Sequence, residues 1–337
     1  MVMKMLEKIT KHYKITVPLM LVFACVFPLV FNNPYSMRIA TISLIFVMIT
    51  LALNIVTGYM GQTSFGTAAF WGLGAYTGAI LASRYGVGIE ITFVLAAIIS
   101  GIFGFLVGIP VLKLKGYYLA IVTLGFCEIV RLVELNWTSL TGGPLGIMNI
   151  PKLKLFGFKF TDSRSVYFLM LIMVILTTIV VYRLVNSAFG LVLTSIKDDE
   201  IATQAMGINV VEYKIKAFVI HAMICGVAGA FYAQYISYID STMFTTNQSI
   251  EMLVMAIVGG MGSIVGSFVG AIVLSVLPEI MRGLTEYRML IYGFIMVIMM
   301  IVKPEGIFGN INFVHIKQRL DAKSTLDEVK SYKRKDI

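Results

Sequence analysis

Ionisable and nucleophilic side chains are scarce in this chain, so their placement decides which chemistries are open. Residues 126–137 read FCEIVRLVELNW and set Glu128, Arg131 and Glu134 at intervals of three in an apolar run. That spacing puts Glu128 and Arg131 on adjoining turns of one helix face, where carboxylate and guanidinium can pair. A charge within a membrane helix costs about 2.5–3.5 kcal/mol on insertion scales, so the trio is read either as a proton relay or as an ion pair anchoring a helix end. The end of the run is about two turns beyond Glu128, within reach of a snorkelling side chain, which favours the anchor. His12, His221 and His315 are far apart, and none has a carboxylate or cysteine at metal-ligand spacing. No metal site is expected, and His221, in VIHAMICG, reads as a packed or interhelical hydrogen-bonding residue. Cys25, Cys127 and Cys225 are odd in number and lie in apolar runs, so no disulfide framework is indicated. No G-x-x-x-x-G-K-[ST] loop occurs, so this chain has no such cradle for nucleotide phosphates. Any ATP that drives it must be bound by another polypeptide, and no cofactor or catalytic residue is expected here.

One stretch is rich in charge. Residues 190–218 read GLVLTSIKDDEIATQAMGINVVEYKIKAF between two of the most apolar parts of the chain. Ser195 can cap a helix whose first turns hold Asp198, Asp199 and Glu200, where the macrodipole favours acids, and Gly207 is placed to end it. Ile201, Ala202, Ala205 and Met206 form an apolar face too short and narrow to cross a bilayer. A small apolar ridge flanked by charge suits docking into a groove on another protein. The alternative, a helix lying on the membrane surface, normally carries Lys and Arg on its polar face, whereas this face is mainly acidic.

The elements that must hold these groups follow from composition. Of 337 residues, 58% are hydrophobic and 13% charged, with mean hydropathy +0.88. Apolar runs of bilayer-spanning length, roughly 20 residues, recur. The expected fold is an all-α polytopic membrane bundle of about eight spans, near residues 15–31, 39–55, 65–82, 91–112, 117–135, 166–182, 217–236 and 289–302. Residues 249–277 are too long for one span and are interrupted by VGGMGSIVGSFVG, so a broken or re-entrant hairpin, or a close pair of spans, is expected around Gly259 and Gly262. Lysine and arginine cluster in residues 1–14, 113–116, 183–216 and from Lys303 onward, which places both termini on the cytoplasmic side. The chain thus divides into a cytoplasmic N-terminus (1–14), a transmembrane domain (15–302) with a cytoplasmic loop at 183–216, and a basic tail (303–337). The net charge of +9 is explained by membrane topology and needs no nucleic-acid partner.

Two Gly-rich runs carry further information. GYMGQTSFGTAAFWGLGAY (58–76) and GGMGSIVGSFVGA (259–271) lie in opposite halves of the chain, and both combine glycines, hydroxyls and a Met-Gly pair. Interrupted segments at corresponding places in two halves point to a translocation path, although chance clustering of glycine explains so short a match about as well. Gln62, Ser64, Gly66, Tyr76, Gly259, Gly262 and Ser263 are the path candidates. Four G-x-x-x-G pairs (Gly74 and Gly78, Gly104 and Gly108, Gly262 and Gly266, Gly266 and Gly270) mark close helix packing and say nothing of substrate.

The charged stretch also resembles the coupling segment of ABC-transporter permeases. The resemblance rests on Ser187, Phe189 and Gly190, then Ser195, Ile196, Lys197, Glu200, Ala202, Gly207, Ile208 and Asn209, then Ala217 and Phe218, continuing as CGVAGAFYA. Lys197 stands where the family usually has arginine, so a bidentate contact does not carry over, and Thr203 stands where a second alanine is common. GQTSFGTAAFWGLGAY (61–76), NWTSLTGGPLGI (136–147) and KPEGIFG (303–309) resemble the permease subunits of high-affinity branched-chain amino-acid importers, the last two pointing to the second of their paired permeases. The resemblance covers roughly residues 40–309. It implies a bacterial plasma-membrane importer with a second permease, two cytoplasmic ATPases that use the ATP, and an extracytoplasmic binding protein. Lys197, Asp198, Asp199, Glu200, Ala202, Ala205, Met206, Gly207 and Asn209 would then form the ATPase-coupling segment. The turn Thr141, Gly142, Gly143 and Pro144 would offer a surface to the binding protein. Related permeases also serve urea, short amides and other amino acids, and an ion-coupled secondary transporter or a channel is the alternative of another class.

Overall fold

The computed structural model describes residues 24, 28, 33–111, 117–155, 157–280, 287–303 and 306–309. The expected first span (15–31) lies almost wholly outside these residues, as do the N-terminal segment 1–14 and all but the start of the basic tail.

Helices occupy the other seven expected spans. α1 (Pro34–Asn54) opens with Asn33, whose side chain accepts from the Tyr35 N–H at 3.2 Å, followed by proline at the first helical position, where a missing N–H costs nothing. Its last turn widens into a π-helical segment, Ile55–Tyr59. α2 (Thr67–Tyr85), α3 (Ile89–Val111), α4 (Tyr117–Asn136) and α5 (Ser163–Val185) follow. α6 (Ala188–Asp198) and α7 (Glu200–Ala205) are short and lead into α8 (Val210–Ile236). The chain ends through α9 (Thr246–Gly259), α10 (Ile264–Ile280) and α11 (Arg288–Val302). Among the described residues four helical stretches are long and apolar enough to cross a membrane: Pro34–Tyr59, Ile89–Ile109, Ser163–Val185 and Val210–Ile236. α2 and α4 have the length but carry more glycine, hydroxyl and charge.

α1 is the axis of the molecule, packed against α5, α8, α9 and α10. A second layer of α2, α3 and α8 packs most closely of all. Small residues permit this: a Cβ on Gly74 of α2 would stand 2.0 Å from the Gly226 carbonyl of α8, and one on Gly78 would stand 2.8 Å from the Ala230 Cα. The 249–277 stretch is broken where expected. α9 ends at Gly259, Gly260 takes φ +129°, and α10 starts at Ile264, folding back so that Gly259 meets Gly266 and Gly270.

Three local differences from the sequence reading have physical causes. Ser195 does not cap a helix; it lies inside α6 with its hydroxyl donated to the Leu191 carbonyl at 3.0 Å. The cap is Asp199, whose carboxylate accepts from the N–H groups of Ile201 and Ala202 at 2.8 and 3.1 Å. α8 starts at Val210, inside the charged loop, because Asn209 caps it and Glu212 pairs with Lys216 one turn on. Finally, the described residues, mostly helical, include a two-stranded antiparallel hairpin, β1 (Lys154–Leu155) with β2 (Phe158–Lys159).

Candidate functional site

The two Gly-rich runs, remote in sequence, meet at one place, and Asn54 joins them. Its side-chain amide donates to the Ser263 carbonyl at 2.9 Å and to the Ser267 hydroxyl at 2.8 Å, while its oxygen accepts from the Gly262 N–H at 2.7 Å. Only glycine fits at position 58, since a Cβ there would lie 1.8 Å from Asn54 Oδ1 and 2.3 Å from the Gly262 nitrogen. The π segment and the α9–α10 elbow are therefore in backbone contact at a point where both helices have lost their regular ladder. KPEGIFG completes the elbow: the N–H groups of Ile307 and Phe308 donate to the Val258 and Gly259 carbonyls at 3.0 and 2.9 Å. These are carbonyls that a helix C-terminus otherwise leaves unpaired.

Among the path candidates, Ser64 and Ser263 are fully buried, and each hydroxyl accepts a backbone N–H, from Gly66 at 3.3 Å and Gly266 at 3.1 Å. Gly66 is the residue before α2 and lies against Thr123 of α4. Gln62 is half-buried beside the π segment, its N–H bonded to the Val56 carbonyl at 3.0 Å. Tyr76 lies apart from the elbow, toward the other end of α2 and against Phe244. Asn54 is the residue that the sequence reading missed; its one signal was an amide at the end of an otherwise apolar run.

The charged stretch is tied to this elbow. Lys197, the last basic residue of α6, donates from Nζ to the Gly58 carbonyl at 2.7 Å. Burial of that ammonium lowers its pKa below the usual lysine value, offset in part by the charge of Asp198. Glu200 of α7 reaches back to Lys214 of α8, 3.0 Å from Oε2 to Nζ, and the Lys214 side chain is 1% exposed. That contact is an ion pair without aligned hydrogen-bond geometry. Lys197 and Glu200 thus face the body of the protein, Asp199 and Asn209 act as helix caps, and Gly207 ends the segment at φ +81°. Asp198, Ala202 and Ala205 are left exposed, together with Ile201 at 71% and Met206 at 81%. Two large apolar side chains, one on a six-residue helix and one on its C-cap residue, are presented openly beside each other in sequence as the expected ridge requires.

At the turn 141–144, Thr141 is buried, its hydroxyl donating to the Glu134 and Trp137 carbonyls at 2.6 and 2.7 Å and accepting from the Gly143 N–H at 3.2 Å. Gly142 and Gly143 have positive φ, and Gly143 is buried. These three residues shape the turn, and what it presents is Pro144 with Leu145, the latter 71% exposed.

Comparisons with known proteins identify the family. The family described as "Branched-chain amino acid transport system / permease component" matches residues 35–300. This chain belongs to that family. Among relatives, the permease is 37% identical over 321 residues to the high-affinity branched-chain amino acid transport system permease protein LivM of Salmonella typhimurium, covering 88% of this chain and 75% of the relative. It is 27% identical to the probable branched-chain amino acid transport permease protein LivM of Methanocaldococcus jannaschii, over 78% and 90% of the two chains. To the permease protein LivH of Salmonella typhimurium it is 23% identical, over 80% and 92%. No solved structure matches. The chain is thus a membrane-embedded, all-α permease, a transport component and not a catalyst in its own right.

Three further ionisable groups of the permease take the roles expected of them. Glu128 and Arg131 form the expected ion pair on α4, with Nε to Oε1 at 2.9 Å. His221 is fully buried, with Nε2 3.5 Å from the Thr67 hydroxyl and Nδ1 3.6 Å from Cys225 Sγ, between the rings of Phe70 and Phe218. This is the packed, interhelical role expected of it. Among the described residues no group of His, Cys, Asp and Glu could hold a metal ion.

Proposed function

We propose that this permease is the membrane subunit of an ATP-driven importer of branched-chain amino acids, working with a second, related permease, two cytoplasmic ATPases and an extracytoplasmic binding protein. Its 37% identity to a LivM permease over most of both chains supports the substrate class, and its further similarity to LivH, a different permease, supports a paired subunit. In this reading 183–216 is the cytoplasmic coupling loop, the termini 1–14 and 303–337 share its side of the plasma membrane, and Pro144 and Leu145 face the binding protein.

The observation that carries the mechanism is the pair of tethers on the coupling segment. The exposed ridge of Ile201, Ala202, Ala205 and Met206 enters a groove on an ATPase. Closure of the ATPases on ATP moves α6 and α7 as a unit, since Glu200 ties α7 to α8 and Lys197 ties α6 to the π segment. The displacement arrives at the elbow of Gly58 and Gly262, where two interrupted helices touch and the ladder is weakest. Alternating access needs a two-state element that ATP can bias, and broken helices at a path are suited to that role.

The test is uptake of micromolar leucine by cells lacking this gene, complemented with wild type or with Ala202→Asp. Loss on deletion and rescue by wild type alone support both the substrate class and the docking ridge. Rescue by Ala202→Asp, with the complex shown to assemble, refutes the ridge. Unchanged uptake on deletion, in a strain with no second importer, refutes the substrate class and directs the search to urea and short amides.

A further inference from the structure

The coupling account leaves one buried carboxylate unused. Glu134 of α4 is 3% exposed, and neither of its carboxylate oxygens has a hydrogen-bond partner among the described residues. Oε1 lies 2.7 Å from where a Cβ on Gly72 of α2 would stand, so the carboxylate occupies space that any other residue at position 72 would fill. Arg131 is only one turn away, yet its guanidinium is bonded to Glu128 on the more exposed flank of α4. Two polar atoms of α2, from the residue before Gly72 and the residue one turn after it, are also buried without partners among the described residues, the Trp71 indole N–H and the Tyr76 hydroxyl, their residues 2% and 4% exposed. Glu134 lies within electrostatic reach of Tyr76.

Phe244 closes this group. Its ring centroid is 4.9 Å from that of Trp71 and 5.9 Å from that of Tyr76, and its Cγ lies 3.0 Å from the Gly72 Cβ position. Phe244 is carried by a single 3-10 turn, Ser241–Phe244, capped by the Asp240 carboxylate through the Thr242 N–H at 2.7 Å. The ring is held by this packing, 1% exposed, and its backbone is a single 3-10 turn whose displacement would release it.

A buried carboxylate without a partner costs several kcal/mol, and a fold that keeps one gains something from it. One acidic acceptor, two neutral donors and an aromatic wall complement a zwitterion: the ammonium meets Glu134 and the ring faces, and the carboxylate receives the indole N–H and the phenol O–H. We infer that Glu134, Trp71 and Tyr76 form a transit site for the α-ammonium and α-carboxylate of an amino acid, gated by Phe244. The inference rests on the import reading and assigns residues to it. The site reads the backbone portion that all amino acids share, so the choice among side chains is made elsewhere.

The experiment uses the whole importer, permease pair, ATPases and binding protein, in proteoliposomes, with radiolabelled L-leucine. Glu134→Gln keeps the volume and removes the charge, and co-purification of the ATPases checks assembly. Leucine turnover should fall at least tenfold, while the concentration of leucine-loaded binding protein giving half-maximal uptake stays within twofold of wild type. Glu134→Asp should recover part of the loss. In a complex that assembles, a residue that merely supports the fold would shift both quantities together, and that result overturns the inference, as does wild-type turnover in Glu134→Gln. Should that variant not assemble, Tyr76→Phe, which removes one hydroxyl from a packed ring, decides: a several-fold loss of turnover supports the site and an unchanged rate refutes it. Failure of the import reading is seen separately, as absence of leucine uptake by the wild-type importer.

Discussion

At the residue scale, the most consequential side chain is one amide. Asn54 makes three hydrogen bonds to the elbow and leaves none of its polar atoms unpaired. Truncation would strand the Gly262 N–H in a buried setting, where an unsatisfied group costs about 1–3 kcal/mol, while the Ser263 carbonyl keeps the Ser267 N–H at 3.1 Å. Asn54→Ala should therefore destabilise the permease by about 1–3 kcal/mol, read as a lower melting temperature of the purified protein in detergent. A melting temperature within one degree of wild type would mean that the elbow is held by packing alone. The residue escaped notice in the sequence because an asparagine closing a largely apolar helix looks like a helix end. Its partners lie more than 200 residues away, and no local pattern records such a pairing. Lys214 was missed for a similar reason: one of two lysines in EYKIK, it is 1% exposed, and only the return of Glu200 makes that burial tolerable.

At the scale of elements, glycine spacing was informative and helix capping was not. The run 259–262 broke a stretch too long for one span, and the structure breaks there into α9 and α10. The pairs Gly74 with Gly78 and Gly266 with Gly270 are packed against other helices, as their spacing implied. In the charged stretch the cap is Asp199 and not the expected Ser195, because α6 turns back on α5. There Gly190 meets the Val185 carbonyl, and Leu193 and Ile196 are buried, which keeps Ser195 mid-helix. The packing argument yields a paired prediction. Gly74→Ala puts a methyl 2.0 Å from the Gly226 carbonyl and should force α2 from α8, lowering the yield of folded protein severalfold, whereas Gly125→Ala, with nothing within 4 Å, should be silent. Equal yields of the two variants by size-exclusion chromatography would show that α2 and α8 can separate at little cost.

At the scale of the molecule, the parts form a chain of contacts from the exposed ridge of α7 to the elbow at the axial helix. Severing one link should uncouple the ends without unfolding either. Lys197→Met keeps the stem and removes the donor, so ATP hydrolysis by the assembled importer should persist while leucine uptake falls at least tenfold; uptake that tracks hydrolysis as in wild type would rule out this route. The link itself is a single hydrogen bond at the end of four flexible methylenes. A connection of that kind behaves as a rope and not as a rod: it bears tension along its length and folds under compression. Only motion of α6 away from the π segment can be felt at Gly58 through Lys197, and the return stroke must be delivered by the packed side chains of Leu193 and Ile196. The two directions of the transport cycle would then run through different atoms, and a substitution at position 197 could slow one half of the cycle while leaving the other at its natural rate.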